Sequence, residues 1–182
     1  MKTFLIGLFV ISFINLGYSQ VTDDKKEVAL KSVTVTTLNK NYLDRVQDLT
    51  MSIYVKELEN SVSNYDITRV PGFDGRDKPF KAVFKSQKGN IVATFDSKGK
   101  ILTTLEKFKN VKLPDPVLAL VFKDNPNWGM LSDSYLVVYN CDKPVKKIYK
   151  VQIVKGDLKK RIRIDFNGDR LVVANSEKLI FD

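Results

Sequence analysis

Few residues of the types that act most often as bases, nucleophiles or zinc ligands occur in this chain. Among its 182 residues there is no histidine and one cysteine, Cys141. The lack of histidine excludes Ser-His-Asp and Cys-His nucleophile systems, and the single thiol excludes zinc sites that need several cysteines. Neither glycine-rich phosphate-binding motif is present. We therefore expect no metal, no cofactor and no catalytic residues, and we interpret Cys141 as a small core or hairpin residue.

Carboxylates could act as acid and base without histidine. The Asp165–Asp169 segment is superficially similar to a calcium loop, but its glycine comes too early and the glutamate at the twelfth position is missing. A β-turn explains the same residues, and Asp96 has the same interpretation. Asp142, Asp157 and Glu106 are scattered, and their spacing indicates no acid–base pair. A carboxylate-based enzyme is therefore the least favoured alternative, and we expect the chain not to be an enzyme.

Positive charge is concentrated in one stretch of the chain. Residues 142–163 contain two aspartates against nine basic residues, which are Lys143, Lys146, Lys147, Lys150, Lys155, Lys159, Lys160, Arg161 and Arg163. That stretch has a net charge of +7, whereas the whole chain carries +9. The rest of the chain is therefore close to neutral, and this stretch is the candidate binding surface that the sequence offers.

A two-residue turn at Gly156-Asp157 predicts to which side of the sheet the basic side chains point. A turn of type II′ pairs Lys155 with Leu158. Because strand side chains alternate, one face then receives the apolar residues Tyr149, Val151, Ile162 and Ile164. The opposite face receives the candidate binding residues Lys150, Gln152, Lys159, Arg161 and Arg163.

Two explanations of this basic face remain open. Lys150 is predicted to lie opposite Arg163, and such a like-charge pair costs about 0.2–1 kcal/mol when no counter-charge is near. An anionic partner would offset that cost, whether lipopolysaccharide phosphates, an acidic polysaccharide or an acidic protein patch. The alternative is a solvated face whose charge is compensated by acidic residues elsewhere in the sheet.

Apolar periodicity predicts two helices and a series of strands. One helix is expected over Ile53–Tyr65, with an apolar residue at every third or fourth position. The second begins after Leu113-Pro114 and ends at Asn125-Pro126, because proline is tolerated only in the first turn. Strands are expected at residues 32–38, 80–85, 91–96, 100–106, 134–140, 147–155, 159–165 and 170–173.

The two halves of the chain follow the same order of elements. Phe95–Leu102 aligns without gaps on Ile164–Leu171, and each half begins with a helix that strands follow. We therefore predict an α+β fold of two tandem units, each with one helix packed on an antiparallel meander. The units cover residues 32–108 and 109–182, either as two domains or as parts of one continuous domain.

Several short motifs occur in a characteristic order between residues 80 and 173. They are Phe95-Asp-Ser-Lys-Gly99, Leu113-Pro114 before a helix, Asn125-Pro-Asn-Trp128, Tyr149-x-Val151 and Asp165-x-x-Gly168. This order resembles the PepSY-like family of small exported domains, also described as β-lactamase-inhibitor-like. The resemblance implies a helix packed on an antiparallel sheet, repeated in tandem, and binding or inhibition by the sheet surface without chemistry. It implies no particular target, and before Phe80 the match is poor.

The N-terminal residues have the pattern of a cleavable signal peptide over residues 1–19. Lys2 precedes an apolar run over Phe4–Leu16, and small residues follow where cleavage before Gln20 is expected. Residues 20–31 are polar and predict a flexible arm. No later stretch is long and apolar enough to span a bilayer. The chain is therefore expected to be exported, to a periplasm or to the medium.

Together these features favour an exported, non-enzymatic binding or inhibitor-like module that uses its sheet surface. The alternative is an envelope-associated structural protein that the basic face holds to an anionic surface. The expected partner is a protein or an anionic envelope component. Nucleic acid is not expected, because the chain is predicted to be exported and no aromatic residues alternate with the cations on the exposed face.

Overall fold

The computed structural model describes residues 39–76, 78–167 and 170–179 of the chain. The predicted signal peptide, the arm over residues 20–31 and the strand predicted at residues 32–38 lie outside the described residues. So does most of the predicted turn after Asp165.

Seven antiparallel strands form one sheet, and each strand pairs with its neighbours in the chain. The strands are β1 (Phe80–Lys85), β2 (Gly89–Phe95), β3 (Ile101–Lys109), β4 (Gly129–Asn140), β5 (Lys143–Lys155), β6 (Leu158–Asn167) and β7 (Arg170–Leu179). Because β3 pairs with β4, the strands of both predicted units lie in the same sheet. The α+β class is confirmed, and the division of the chain into two units stays a prediction.

Three α-helices accompany the sheet in the described part of the chain. They are α1 (Lys40–Val46), α2 (Ile53–Ser63) and α3 (Asp115–Lys123), and a short 3-10 helix covers Ile67–Arg69. Both predicted helices are confirmed near their expected ends. The α1 helix was not predicted, because it has seven residues and buries only Tyr42 and Val46, too few positions to show a helical period.

One core fills the space between the helices and the inner side of the sheet. The side chains that α1, α2 and α3 bury belong to the same cluster as alternate residues of β2 to β6. Tyr149, Val151, Ile162 and Ile164 are all among these buried residues, as predicted. Phe122 and Trp128 are partly buried and pack against the same cluster.

The register predicted for β5 and β6 is confirmed at every expected pair. Lys155 lies opposite Leu158, and Lys150 lies opposite Arg163. Gly156 has a φ of 57°, the conformation that the first residue of a type II′ turn requires. The predicted turn at Asp96 is also confirmed, because its carboxylate accepts hydrogen bonds from the backbone N–H groups of Lys98 and Lys100.

Several strands are longer than predicted, among them β5, which begins at Lys143 rather than at residue 147, and the largest differences are in β4 and β7. The β4 strand begins at Gly129, five residues before the predicted start, and its register shifts between Met130 and Ser132. The β7 strand continues through polar residues to Leu179, and a shift at Arg163/Ile164 lets it pair along β6. The predictions were wrong at these ends, because bulges interrupt the two-residue alternation on which they relied.

Because Gly89 has no Cβ atom, β2 and β3 approach each other closely at this residue. A Cβ atom at Gly89 would lie 2.3 Å from the Lys107 carbonyl oxygen and 2.5 Å from a ring carbon of Phe108. We expect Gly89→Ala to lower the free energy of unfolding by about 1–3 kcal/mol, the usual cost of overpacking, measured by urea denaturation. Gly129→Ala is the control, because its nearest contact would be an unstrained 3.8 Å. Equal losses in the two variants would contradict this account.

Candidate functional site: a basic outer face and a buried carboxyl pair

The side of the sheet opposite the helices is rich in basic residues. We call it the outer face and define its charge by the outward lysines and arginines of β1, β3, β5 and β6. These are Lys81, Lys85, Lys107, Lys109, Lys146, Lys150, Lys159, Arg161 and Arg163. The excess positive charge therefore extends well beyond the stretch that the sequence singled out.

Few acidic residues accompany these cations. On β1 to β6 the only outward acidic residue is Asp165, since Glu106 and Asp133 are buried on the inner side. On β7, Glu177 is the register partner of Arg161. One of the two explanations of the basic stretch was that acidic residues elsewhere in the sheet compensate its charge. On the outward side of these six strands, Asp165 is the one acidic residue that could do so.

Four of the five predicted binding residues lie together in one groove. Lys150, Gln152, Arg161 and Arg163 line a groove of about 440 Å³ with Ser132 of β4, above Val151 and Ile162. Lys159 lies further along β6, opposite Val154, and does not line it. The β5–β6 register brings these four side chains together, because it places Lys150 against Arg163 and Gln152 against Arg161.

The cations of the groove differ in whether they already form an ion pair within the protein. Arg163 forms a two-point contact with Asp165, with Nε 2.7 Å from Oδ1 and Nη2 3.0 Å from Oδ2. This pairing raises the pKa of Arg163 and supplies the counter-charge that the Lys150/Arg163 pair needs. Lys150 and Arg161 are exposed and form no ion pair with another described side chain. They are the groove's cations that remain open to a ligand.

Gln152 adds a neutral hydrogen-bonding group to the groove. The Ser132 hydroxyl lies 3.3 Å from the Gln152 Oε1 atom and donates to it. This contact orients the amide and leaves its NH₂ group as a donor. The groove therefore presents a guanidinium, an ammonium and an amide donor together, a combination that suits carboxylates, phosphates or sulfates.

A second cluster of ionisable groups lies on the inner side of the sheet, between α2 and β3. Glu59 is 1 % exposed and Glu106 is 0 % exposed. The Tyr42 hydroxyl donates to Oε1 of Glu106 at 2.8 Å, and the Thr104 hydroxyl donates to the same atom at 2.7 Å. The other oxygen of Glu106 and both oxygens of Glu59 are buried without a hydrogen-bond partner among the described residues.

Burial determines the charge of this pair. It raises the pKa of Glu59 to about 9, and the neighbouring charge of Glu106 adds to the effect. Burial also raises the pKa of Glu106, to about 7, against the lowering effect of the Thr104 and Tyr42 hydrogen bonds and the Lys147 charge. Near neutral pH the pair therefore holds a proton on Glu59. The buried Lys147 ammonium, inward on β5, balances negative charge on Glu106.

This pair was not predicted from the sequence, because Glu106 was considered only with Asp142 and Asp157, and Glu59 was not considered. Glu59 and Glu106 are distant in the chain and meet only when α2 packs on the sheet. One signal was available, since Glu59 follows Val55 by four residues and so lies on the buried side of α2. Paired carboxyls can serve as acid and base in catalysis, but neither side chain reaches the surface.

The remaining candidates for chemistry are limited. Cys141 is a half-buried free thiol in the β4–β5 turn, as expected of a hairpin residue. Within residues 39–76, 78–167 and 170–179, His, Cys, Asp and Glu side chains form no group of three or more that could hold a metal ion. None of the helices in that part of the chain has the length and apolar character needed to cross a membrane.

The raised pKa of Glu59 predicts how stability changes with pH. In the unfolded chain Glu59 ionises near pH 4.5, whereas in the folded protein it stays protonated to about pH 9. The unfolded state therefore binds fewer protons within this window, and the free energy of unfolding falls as pH rises, by up to about 1.4 kcal/mol per pH unit for one proton. Glu59→Gln should flatten this slope in urea denaturation series at pH 5, 7 and 9.

Glu57→Gln is the matched control, because Glu57 is exposed on the same helix and its neutralisation should leave the slope unchanged. Parallel stability curves for wild type and Glu59→Gln would show that Glu59 is not protonated in the folded protein.

Comparison with known proteins identifies no relative. No protein family, no curated protein and no solved structure matches the chain. The resemblance to the PepSY-like family therefore stays a prediction from the motifs.

Proposed function

We propose that this protein is a non-enzymatic binding module that engages an anionic partner through the outer face of its sheet. The observation that carries the proposal is the separation of charge across the sheet. The outward side of β1 to β6 has nine basic side chains and Asp165, while the inward side forms the core. A surface of one sign attracts partners of the opposite sign and speeds their association.

The groove around Lys150, Gln152, Arg161 and Arg163 is the proposed site that recognises the anionic groups of the partner. Arg163 is already paired with Asp165, so Lys150 and Arg161 supply the charge and Gln152 supplies directional hydrogen bonds. Lys159, which is half-buried and further along β6, extends the positive field rather than the groove. Substitution of Arg161 or Lys150 should therefore weaken binding more than substitution of the other groove residues.

The predicted family supports an inhibitor-like version of this proposal. PepSY-like domains are expected to bind through the sheet surface, and tandem helix-plus-meander units would supply such a surface here. The predicted signal peptide would place that surface in a periplasm or in the medium. An envelope-associated structural protein held to an anionic surface is the second candidate, and the same basic face favours it.

Two other classes of function have less support. All aromatic side chains of β1 to β6 lie on the inner side or are buried there, so the outer face of these strands offers no stacking platform for bases. A carboxylate enzyme would have to use acidic residues near a substrate, whereas the Glu59–Glu106 pair is buried. Binding therefore explains the outer face better than catalysis or nucleic-acid recognition does.

The test is capture from an envelope extract by immobilised protein at low and moderate salt. We expect wild type to retain a partner that the Lys150→Glu/Arg161→Glu/Arg163→Glu variant loses, because reversal places like charges against the anion. The control variant Lys98→Glu/Lys112→Glu/Lys123→Glu has the same net charge, but its three exposed substitutions lie outside the outer face. It should retain the partner. Equal capture by the two variants would contradict the proposal.

A further inference from the structure

A row of aliphatic side chains that was not predicted from the sequence crosses the outer face from the edge strand β1 to β4. Val83 of β1 lies opposite Val92 of β2, Val92 lies opposite Leu105 of β3, and Leu105 lies opposite Val138 of β4. Val83 is 54 % exposed and Leu105 is 38 % exposed, while Val92 and Val138 are half-buried. One unbroken apolar row therefore crosses four neighbouring strands on the side away from the core.

A second, shorter row lies directly beside the first. Leu136 is two residues before Val138 on β4, so it has the same outward direction, and it lies opposite Ile148 of β5. We call the six residues of both rows the apolar strip, which comprises Val83, Val92, Leu105, Leu136, Val138 and Ile148. Neighbouring strands are about 4.8 Å apart, so the longer row measures about 14 Å across its four strands.

Lysines surround the apolar strip. Lys81 and Lys85 flank Val83 on β1, Lys107 follows Leu105 by two residues on β3, and Lys146 lies opposite Val138 at the end of the row. The groove lined by Lys150 and Arg161 continues this basic border on β5 and β6. The outer face thus has an apolar strip bordered by cations, and apolar surface within a polar border is typical of a protein-binding surface.

The size of the surface is also that of a protein interface. Seven strands at about 4.8 Å spacing give a width of about 29 Å, and seven residues at about 3.4 Å give a length of about 24 Å. The product is about 700 Å², close to the roughly 800 Å² that each partner contributes to a standard interface. A polysaccharide or polyphosphate chain would use the basic border and leave the apolar strip exposed to water.

We propose that the outer face docks a protein whose contact surface has an apolar centre surrounded by aspartates and glutamates. This proposal rests on the proposed function and narrows its partner from any anion to an acidic protein. The apolar strip supplies the desolvated contact at the centre, and the lysines and Arg161 fix the orientation from the border. Both parts are required, because the strip alone would bind without selecting acidic surfaces.

The test uses four probes on the full-length mature protein. The first is a synthetic helical peptide with leucines along one face and glutamates on both sides, and the second replaces its leucines with serine at the same net charge. The third is polyglutamate, and the fourth is vesicles of phosphatidylglycerol. Dissociation constants are measured by titration calorimetry at several temperatures, because burial of apolar surface gives a negative heat-capacity change.

We expect the leucine peptide to bind at least tenfold more tightly than the serine peptide, with a negative heat-capacity change only for the former. Val83→Thr/Leu105→Thr should weaken binding of the leucine peptide at least fivefold and leave polyglutamate binding unchanged. Threonine is β-branched, as strands favour, and both positions are exposed, so the fold should be retained. The control Leu49→Thr/Ile53→Thr removes two exposed apolar side chains on the helix side and should change neither value.

The outcomes separate this proposal from the proposed function. Equal affinity for the leucine and serine peptides, or unchanged leucine-peptide binding by Val83→Thr/Leu105→Thr, would overturn the apolar strip while polyglutamate binding still supported an anion-binding face. Tighter binding to the vesicles than to the leucine peptide would replace the protein partner with a lipid surface. Failure to bind any of the four probes would overturn both proposals.

Discussion

The alternation of side chains along β3 to β6, which only local bulges interrupt, is the constraint on which the rest of this structure depends. Each strand sends one residue into the core and the next to the opposite side. Because the helices cover only one side of the sheet, alternate positions have entirely different surroundings. A shift of one residue in any pair would bury lysines and expose the aromatic residues, so the core and the outer face are specified together.

The same alternation explains why buried and exposed ionisable residues behave so differently. Lys147 and Lys150 lie on the same strand, yet Lys147 is turned toward the Glu59–Glu106 pair and Lys150 is turned toward solvent. The buried pair costs stability, because carboxyl oxygens lose water without gaining a full set of hydrogen bonds. A hydrogen bond from Tyr42 joins α1 to Glu106 of β3, and the charge of Lys147 on β5 acts on both carboxyls. The pair is too deeply buried for a substrate in solution to reach it.

Features of this structure were predicted from the sequence when the residues that form them are close together in the chain, and were missed when those residues are far apart. The β5–β6 hairpin was predicted pair by pair, because a Gly-Asp turn and clear alternation are local signals. Four of the five predicted binding residues consequently meet in one groove. The apolar strip was not predicted, since Val83, Val92, Leu105 and Val138 align only when three separate strand pairings are known. The Glu59–Glu106 pair needs a helix-to-sheet contact, and α1 is too short to show a period.

The order of the strands has a consequence for how the chain folds. Every pair in the sheet joins neighbours along the chain, and only the β3–β4 connection contains a helix. Loops that close such pairs are short, so little entropy is lost before each new contact forms. A sheet of this kind can extend one strand at a time from a hairpin, without waiting for distant segments to meet. A lone cysteine is then no handicap to the sheet, because its paired strands are already close in the chain without a disulfide.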